Sequence, residues 1–343
     1  MALKKILFLT GSPNQTTQMH QVASELTGYD CFFSQVYSDS SMIKFAVRLG
    51  LLDTTVLAGE FKKKAEAYFE KHCLKNDYAA SVYNNRYDLV VACSDMLIPK
   101  QLRKYKTVWI QEGMTDPLTA WGKIVNGLRL PAYFALNTAL NGASNVCDIY
   151  CAASTGYREQ FIKRGTDAAK IFVTGIPNYD NAESLLQNNF PYNNYVLVAT
   201  SDIRETFRSE NRPSFIRDCI TIANGRQLIF KLHPNENKER ATQEIKEYAP
   251  ADTMIFTEGN TGHMIANCEE LITQYSTVVY TGIALGKKVH SYFDLNELNR
   301  LSPLQNGGTS AVIIAELCRS YIEFAGSHQQ FLKTYKLPKF QLA

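Results

Sequence analysis

Residues 271–293 read LITQYSTVVYTGIALGKKVHSYF: two short apolar runs suited to strands, with a glycine-interrupted amphipathic segment between them. Strand, helix and strand in that order form one parallel crossover, which sets the chain in the α/β class. The hinge, Gln274-Tyr275-Ser276-Thr277, falls where the chain leaves the first strand to start the helix. Ser and Thr at such a place either cap the helix or, with its backbone amides, hold a phosphate. The remainder of the chain has to separate these two readings.

The same alternation continues outward. Toward the amino terminus, apolar runs at 4–11, 30–36, 88–94, 106–113, 148–154 and 170–177 are spaced by helical patterns, including a long amphipathic one from about Ala58 to Lys75. Near-continuous hydrophobicity is what strands buried on both faces require. A second series has runs at 194–201, 226–234, 252–259, 269–276 and 287–294. Between them NYDNAESLLQNNFPYNN (178–194) is rich in Asn and carries Pro191, a change in composition that marks a linker. The expected fold is therefore α/β with two Rossmann-like, doubly wound domains facing across a cleft, ligands binding at the carboxyl ends of the strands. The expected boundaries are 1–178, a linker at 179–193, a second domain at 194–320 and a carboxy-terminal segment at 321–343. The helix SAVIIAELCRSYIEFAGS has an apolar face suited to packing back on the first domain. Residues 119–142 form an apolar segment broken by Pro131; a core helix is the favoured reading and a lipid-facing surface the other.

Composition narrows the function. At 343 residues, 45% hydrophobic and 20% charged, the chain is long enough for two cores and is neither disordered nor a coiled coil. A formal charge of +3 argues against a nucleic-acid partner and suits a locally bound small anion. Lys62-Lys63-Lys64 reads as a solvated helix face. The eight cysteines are scattered without a CxxC or zinc spacing and read as buried thiols. MALKKILFLTGSP is too short in its apolar run for a signal peptide, and no stretch is long enough to span a bilayer, so the expected location is cytoplasmic, with the inner membrane face left open.

In the second series, polar residues gather just past the strands: Ser201, Asp202 and Arg204, then His233, then Thr257 and Glu258, then Ser276 and Thr277. Hydroxyls, a guanidinium and an imidazole on one sheet edge suit an anion, and a Ser-Thr hinge aligned with them favours a diphosphate over a simple cap. No Asp-x-Asp pair offers to hold a metal against that diphosphate, so activity in the presence of a chelator is expected. In the first series Glu112 and Asp116 of IQEGMTDP follow a buried strand beside a glycine and are the candidates for a general base, ahead of Ser12, His20 and Asp95. Asp116 before Pro117 reads equally well as a turn former, and His20, His72, His263 and His328 as ordinary helical or surface residues.

KLHP (231–234), the YST hinge (275–277) and GIALGKKV (282–289) together resemble the donor half of GT-B fold glycosyltransferases, particularly the CDP-glycerol glycerophosphotransferase and capsule polysaccharide group. IFVTGIPNYDN (171–181) resembles the domain junction of UDP-GlcNAc 2-epimerases and their GT-B relatives. The likeness covers residues 150–295 and is firmest over its last part. It implies an enzyme taking a nucleotide-sugar or CDP-glycerol-type donor as substrate, without a cofactor or metal, in surface polysaccharide or glycan synthesis. A glycan or lipid-linked acceptor and peripheral membrane contact are left open as partners. The resemblance also implies that His233, Ser276 and Thr277 meet the donor's phosphates. Where the family has Asp-Tyr-Ser this chain has Gln274-Tyr275-Ser276, so no role of that Asp carries over. Four rivals follow. A dinucleotide oxidoreductase lacks its G-x-G-x-x-G in TGSPNQTT, and no P-loop motif is present. A non-hydrolysing UDP-GlcNAc 2-epimerase stays open, as does a catalytically inactive nucleotide-sugar-binding protein.

Overall fold

The computed structural model describes residues 3–53, 55–78, 85–135, 137–205 and 209–338. The chain forms two compact units, Met1–Asp180 with Asn306–Ala343, and Asn181–Gln305.

In the first unit β1 (Lys5–Thr10), α1 (Pro13–Ser24), β2 (Asp30–Gln35), α2 (Ser41–Arg48), α3 (Gly59–Lys71), β3 (Lys75–Asn76), β4 (Leu89–Ala92), β5 (Lys106–Ile110), α4 (Ala120–Gly127), β6 (Ile149–Ala152), α5 (Thr155–Arg164) and β7 (Ile171–Val173) follow one another. The second unit has β8 (Val196–Ala199), α6 (Arg212–Ala223), β9 (Leu228–Lys231), α7 (Lys238–Tyr248), β10 (Met254–Phe256), α8 (Thr261–Asn267), β11 (Glu270–Thr273), α9 (Val279–Ala284), β12 (Lys288–His290) and α10 (Leu295–Leu301). The chain then returns to the first unit with α11 (Ser310–Glu323) and α12 (His328–Thr334).

The first sheet runs β3-β2-β1-β4-β5-β6-β7 and the second β10-β9-β8-β11-β12, with parallel pairing throughout. Register in the first sheet sets Leu7 between Phe32 and Val90. Alternate residues Ile6 and Phe8, Leu89 and Val91, and Val108 and Ile110 bury one face against Met19 and Val22 of α1 and Ile314, Leu317 and Cys318 of α11. Val196, Val198, Leu228 and Phe230 do the same in the second sheet against Phe215, Ile216 and Cys219 of α6 and Ala241 and Ile245 of α7.

Both ends of α11 are tied into the first unit. Asp180 accepts from Ser310 N–H at 2.7 Å, and Lys106 Nζ donates to the carbonyls of Tyr321 (2.7 Å) and Phe324 (2.9 Å) at the carboxyl end of the helix. Residues 306–320, placed by sequence with the second domain, therefore pack in the first.

Four other expectations change. The segment expected as a linker is packed structure from Asn181 onward, where Asn267 Nδ2 donates to Asn188 Oδ1 at 2.7 Å. Residues 119–142 are one short α-helix and two 3-10 turns whose small core is Val125, Ala135 and Leu140, leaving Trp121, Ile124 and Leu128 exposed. Six cysteines are buried, but Cys31 is half-buried and Cys73 exposed. His20 is half-buried, its Nδ1 3.0 Å from Tyr68 Oη, and burial with neighbouring His72 lowers its pKa. No described helix is long and apolar enough to cross a membrane.

One carboxylate fastens the second sheet at the start of β11. Glu270 is met by Arg226 Nη1 at 2.8 Å, His290 Nε2 at 2.8 Å and Lys288 Nζ at 3.2 Å. Burial alone would raise its pKa, but the bonds from His290, Arg226 and Lys288 outweigh this and hold it at about 2. A folded pKa below the ordinary 4.5 stabilises the fold above that pH, and the stabilisation drains away as pH falls toward 2. Glu270→Gln is expected to cost about 2 kcal/mol in urea unfolding at pH 7, and the difference from the native chain should shrink near pH 3.

Candidate active site

The second sheet reverses its winding between β8 and β11: the chain goes from β8 to β9 and β10 on one side, and from β11 to β12 on the other. The carboxyl ends at such a reversal are left open by the departing connections. β9, β8 and β11 are consecutive in the sheet, so His233, Ser201 and the hinge 274–277 follow the ends of three adjacent strands. Thr200 ties two of these ends together, its Oγ1 donating to Glu236 at 2.6 Å and accepting from His233 N–H at 3.0 Å.

The Asn235 N–H points at His233 Nδ1 at 3.3 Å, and Asp202 Oδ2 lies 3.7 Å from the same nitrogen. A neutral ring that accepts at Nδ1 carries its proton on Nε2. Nε2 meets no partner among the described residues and is free to donate.

At the hinge, α9 begins at Val279 with Val278 as its N-cap and no side-chain capping bond. Ser276 Oγ receives only a 3.5 Å contact from Val278 N–H, and Thr277 contributes its backbone carbonyl to Tyr280 N–H at 3.1 Å. Ser276 is therefore a weak cap of the turn that leads into the helix, and Thr277 Oγ1 caps nothing among the described residues. Ser201 Oγ, Thr273 Oγ1 and Gln274 Oε1, all buried at these same strand ends, also lack a hydrogen-bond partner among the described residues. Leaving such groups unmatched is costly, typically about 1–3 kcal/mol each.

The remaining residues expected at this edge are elsewhere engaged. Arg204 makes a bidentate pair with Glu244 at 2.8 and 2.7 Å, and its Nε lies 3.2 Å from Glu210. These bonds, Glu244 first, raise its pKa, and the guanidinium is committed to the fold. Thr257 and Glu258 follow β10, the edge strand; both are exposed, and Glu258 reaches only Lys238, at 3.8 Å. Arg204→Ala is expected to lower the melting temperature with little change in nucleotide affinity. Glu258→Ala should alter neither, and both outcomes can be read by thermal melting with and without nucleotide.

Beneath the edge lies an ion network that sequence reading did not identify. Arg212, 1% exposed, is held between Glu210 (3.1 Å from Nε) and Glu236, and Gln274 Nε2 donates to Glu210 at 2.6 Å. Gln274 thus links the hinge to this network. Lys231, at the end of β9, is also buried; its Nζ donates to the Leu232 carbonyl at 2.8 Å and burial lowers its pKa.

In the first unit the winding reverses between β1 and β4. Ser12 and Glu112 follow β1 and β5 there, and Ser12 caps α1 by accepting from Gln15 N–H at 3.2 Å. Glu112, half-buried, accepts from Ser12 Oγ and Gln15 Nε2, both at 2.6 Å, so its carboxylate is oriented against the first turn of a twelve-residue helix. Asp116 is placed differently: it accepts from Thr138 N–H at 2.9 Å and Thr138 Oγ1 at 2.7 Å and closes a turn. Asp95 is fully buried and accepts from Gly142 N–H, Ser144 N–H, Ser144 Oγ and Tyr150 Oη, which makes it a loop anchor. Burial raises its pKa against the pull of those bonds.

No family model and no curated protein matches the chain. Solved structures do. UDP-N-acetylglucosamine 2-epimerase from Rickettsia bellii aligns at a TM-score of 0.58 with 12% identity, over 97% of this chain and 99% of that one. UDP-GlcNAc 2-epimerase from Neisseria meningitidis, bound to UDP-GlcNAc, aligns at 0.54 with 11% identity, over 92% and 100%. The wall teichoic acid polymerase TagF aligns at 0.52 with 11% identity, over 93% and 89%. What the chain shares with these proteins is the GT-B fold, built from two Rossmann-like α/β units.

Proposed function

We propose that the chain is a metal-independent enzyme that binds a nucleotide-activated donor through its diphosphate at the carboxyl ends of β9, β8 and β11, and transfers the activated group to an acceptor hydroxyl. The carrying observation is the set of polar groups past those three strands: His233 Nε2, Thr277 Oγ1 and buried Ser201 Oγ, which meet no partner among the described residues, and Ser276 Oγ, held only by a long 3.5 Å bond from Val278 N–H. Donors held in place by the fold stabilise negative charge gathering on a departing phosphate without having to reorganise. That one of the solved relatives is bound to UDP-GlcNAc supports a nucleotide-sugar type of donor.

In the transfer, Glu112 takes the proton of the acceptor hydroxyl as its oxygen bonds to the transferred glycosyl carbon or glycerophosphoryl phosphorus. The bond from that atom to the nucleotide's phosphate oxygen breaks, its electron pair leaving with the nucleotide. Asp116, closed on Thr138, is the weaker base.

A second reading has support of its own, because two of the aligned structures are UDP-GlcNAc 2-epimerases. Thermal shift against UDP, CDP, CMP and GDP identifies the donor class, since a ligand that binds only the native state raises its melting temperature. Incubation with UDP-GlcNAc alone then separates the reactions: a C2 epimer supports the second reading and its absence supports transfer. Failure of every nucleotide to raise the melting temperature would overturn both.

A further inference from the structure

Two helices of the first unit carry their apolar rows on the outside. In α2 the row is Met42, Phe45 and Leu49; in α4 and its cap it is Trp121, Ile124 and Leu128. Both rows have the spacing i, i+3, i+7, which puts three side chains on one helix face. In a helix packed on a core that face is covered, yet all six residues are 50% to 67% exposed. Nothing in α2 is fully buried. The two helices adjoin one cavity of about 950 Å³, which is lined by Ile43 of α2, by Arg129 and Leu130 just after α4, and by Lys100.

The charge around the rows is mainly positive. Lys44 and Arg48 lie on α2, Lys123 on α4, and Lys100 and Arg129 at the cavity. None of these five makes an ion pair among the described residues. The cavity's acids are Asp39, which accepts from the backbone N–H of Lys100 at 2.7 Å, and buried Asp95, which accepts from Gly142 and Ser144. Outward apolar rows flanked by unpaired cations match the boundary of an anionic lipid bilayer, where acyl chains meet phosphate headgroups. An acidic protein surface would satisfy the cations but offer the rows nothing; a purely apolar partner would leave the cations stranded.

We infer that this face of the first unit seats the protein in the plane of an anionic membrane, with α2 and α4 at the headgroup boundary and the cationic cavity opening onto lipid phosphate. The inference goes beyond the donor reading and does not depend on it.

The chain contains two tryptophans, Trp109 fully buried and Trp121 half exposed, so a change in fluorescence on binding reports Trp121. With the full chain and vesicles of phosphatidylcholine containing phosphatidylglycerol, Trp121 emission is expected to shift to the blue and become shielded from iodide, and the protein to float with the vesicles. Pure phosphatidylcholine should bind about tenfold or more weakly. Trp121→Phe should remove the optical change but retain flotation. The pair Phe45→Ser and Leu128→Ser, and separately the pair Arg48→Glu and Lys123→Glu, should each weaken binding about tenfold or more with an unchanged melting temperature. No flotation, with Trp121 still open to iodide, overturns the inference. So does a dimer in solution in which Trp121 is already shielded without vesicles, because the face is then the interface between two copies. Thermal shift by nucleotide should persist in every variant, which keeps failure here distinct from failure of the donor reading.

Discussion

Glu112→Gln is expected to lower turnover by about 10²–10⁴, the range found when a positioned general base is removed, while nucleotide affinity stays within about twofold. The substitution keeps the side chain's size and its carbonyl can still accept from Ser12 Oγ, so the anchor at the start of α1 survives while the proton acceptor is lost. A drop in turnover with native melting would therefore read as chemistry. Asp116→Asn is the control: its carboxylate is engaged by Thr138, so the cost should appear as stability, with turnover nearly native. The opposite pattern, a silent Glu112→Gln and an inactive but stable Asp116→Asn, would move the base to Asp116.

His233→Ala should lower kcat/KM by about 10²–10³, comparable to the removal of one donor aimed at a developing oxyanion. The ring's Nδ1 is turned to Asn235 N–H and Asp202, so what the substitution removes is the Nε2 donor. The backbone N–H of His233, which binds Thr200, is retained. His233→Gln, which puts an amide donor in nearly the same place, should recover part of the loss. If both variants melted normally, bound nucleotide normally and turned over normally, His233 would be an ordinary loop residue and the phosphate assignment would fall with it.

The architecture could be read from the sequence because parallel strands buried on both faces leave near-continuous apolar runs. LFLT of β1, LVVA of β4 and LIFK of β9 all lie inside runs marked as strands. The two-residue β3 leaves no such trace, and α2 was missed because its apolar row is not matched by a buried one. Boundaries were harder. Residues 306–320 follow the second domain in sequence, and what returns them to the first unit is contact with distant residues: the tie between Asp180 and Ser310 and the packing of Ile314, Leu317 and Cys318 on the first sheet.

At the candidate site, sequence places residues after strands but does not reveal their partners. Arg204 looks like an anion ligand until Glu244, distant in sequence, takes both its terminal nitrogens. Glu258 looks comparable to Ser276 until strand order puts β10 at the edge of the sheet. Arg212, Glu236, Glu210 and Gln274 form one buried network from three separate segments, and no local pattern announces it. Composition marked 119–142 as apolar and broken at Pro131, with a core helix favoured over a lipid-facing surface, but did not show that Trp121, Ile124 and Leu128 would be left exposed.

Backbone hydrogen exchange of the full chain, with and without saturating UDP, CDP or GDP, tests most directly whether a nucleotide diphosphate sits at the second sheet's reversal. Slower exchange is expected in residues 199–204, 231–236 and 273–280 together, with at least one of the three nucleotides. Protection confined to other parts of the chain, or none with any nucleotide, would contradict it.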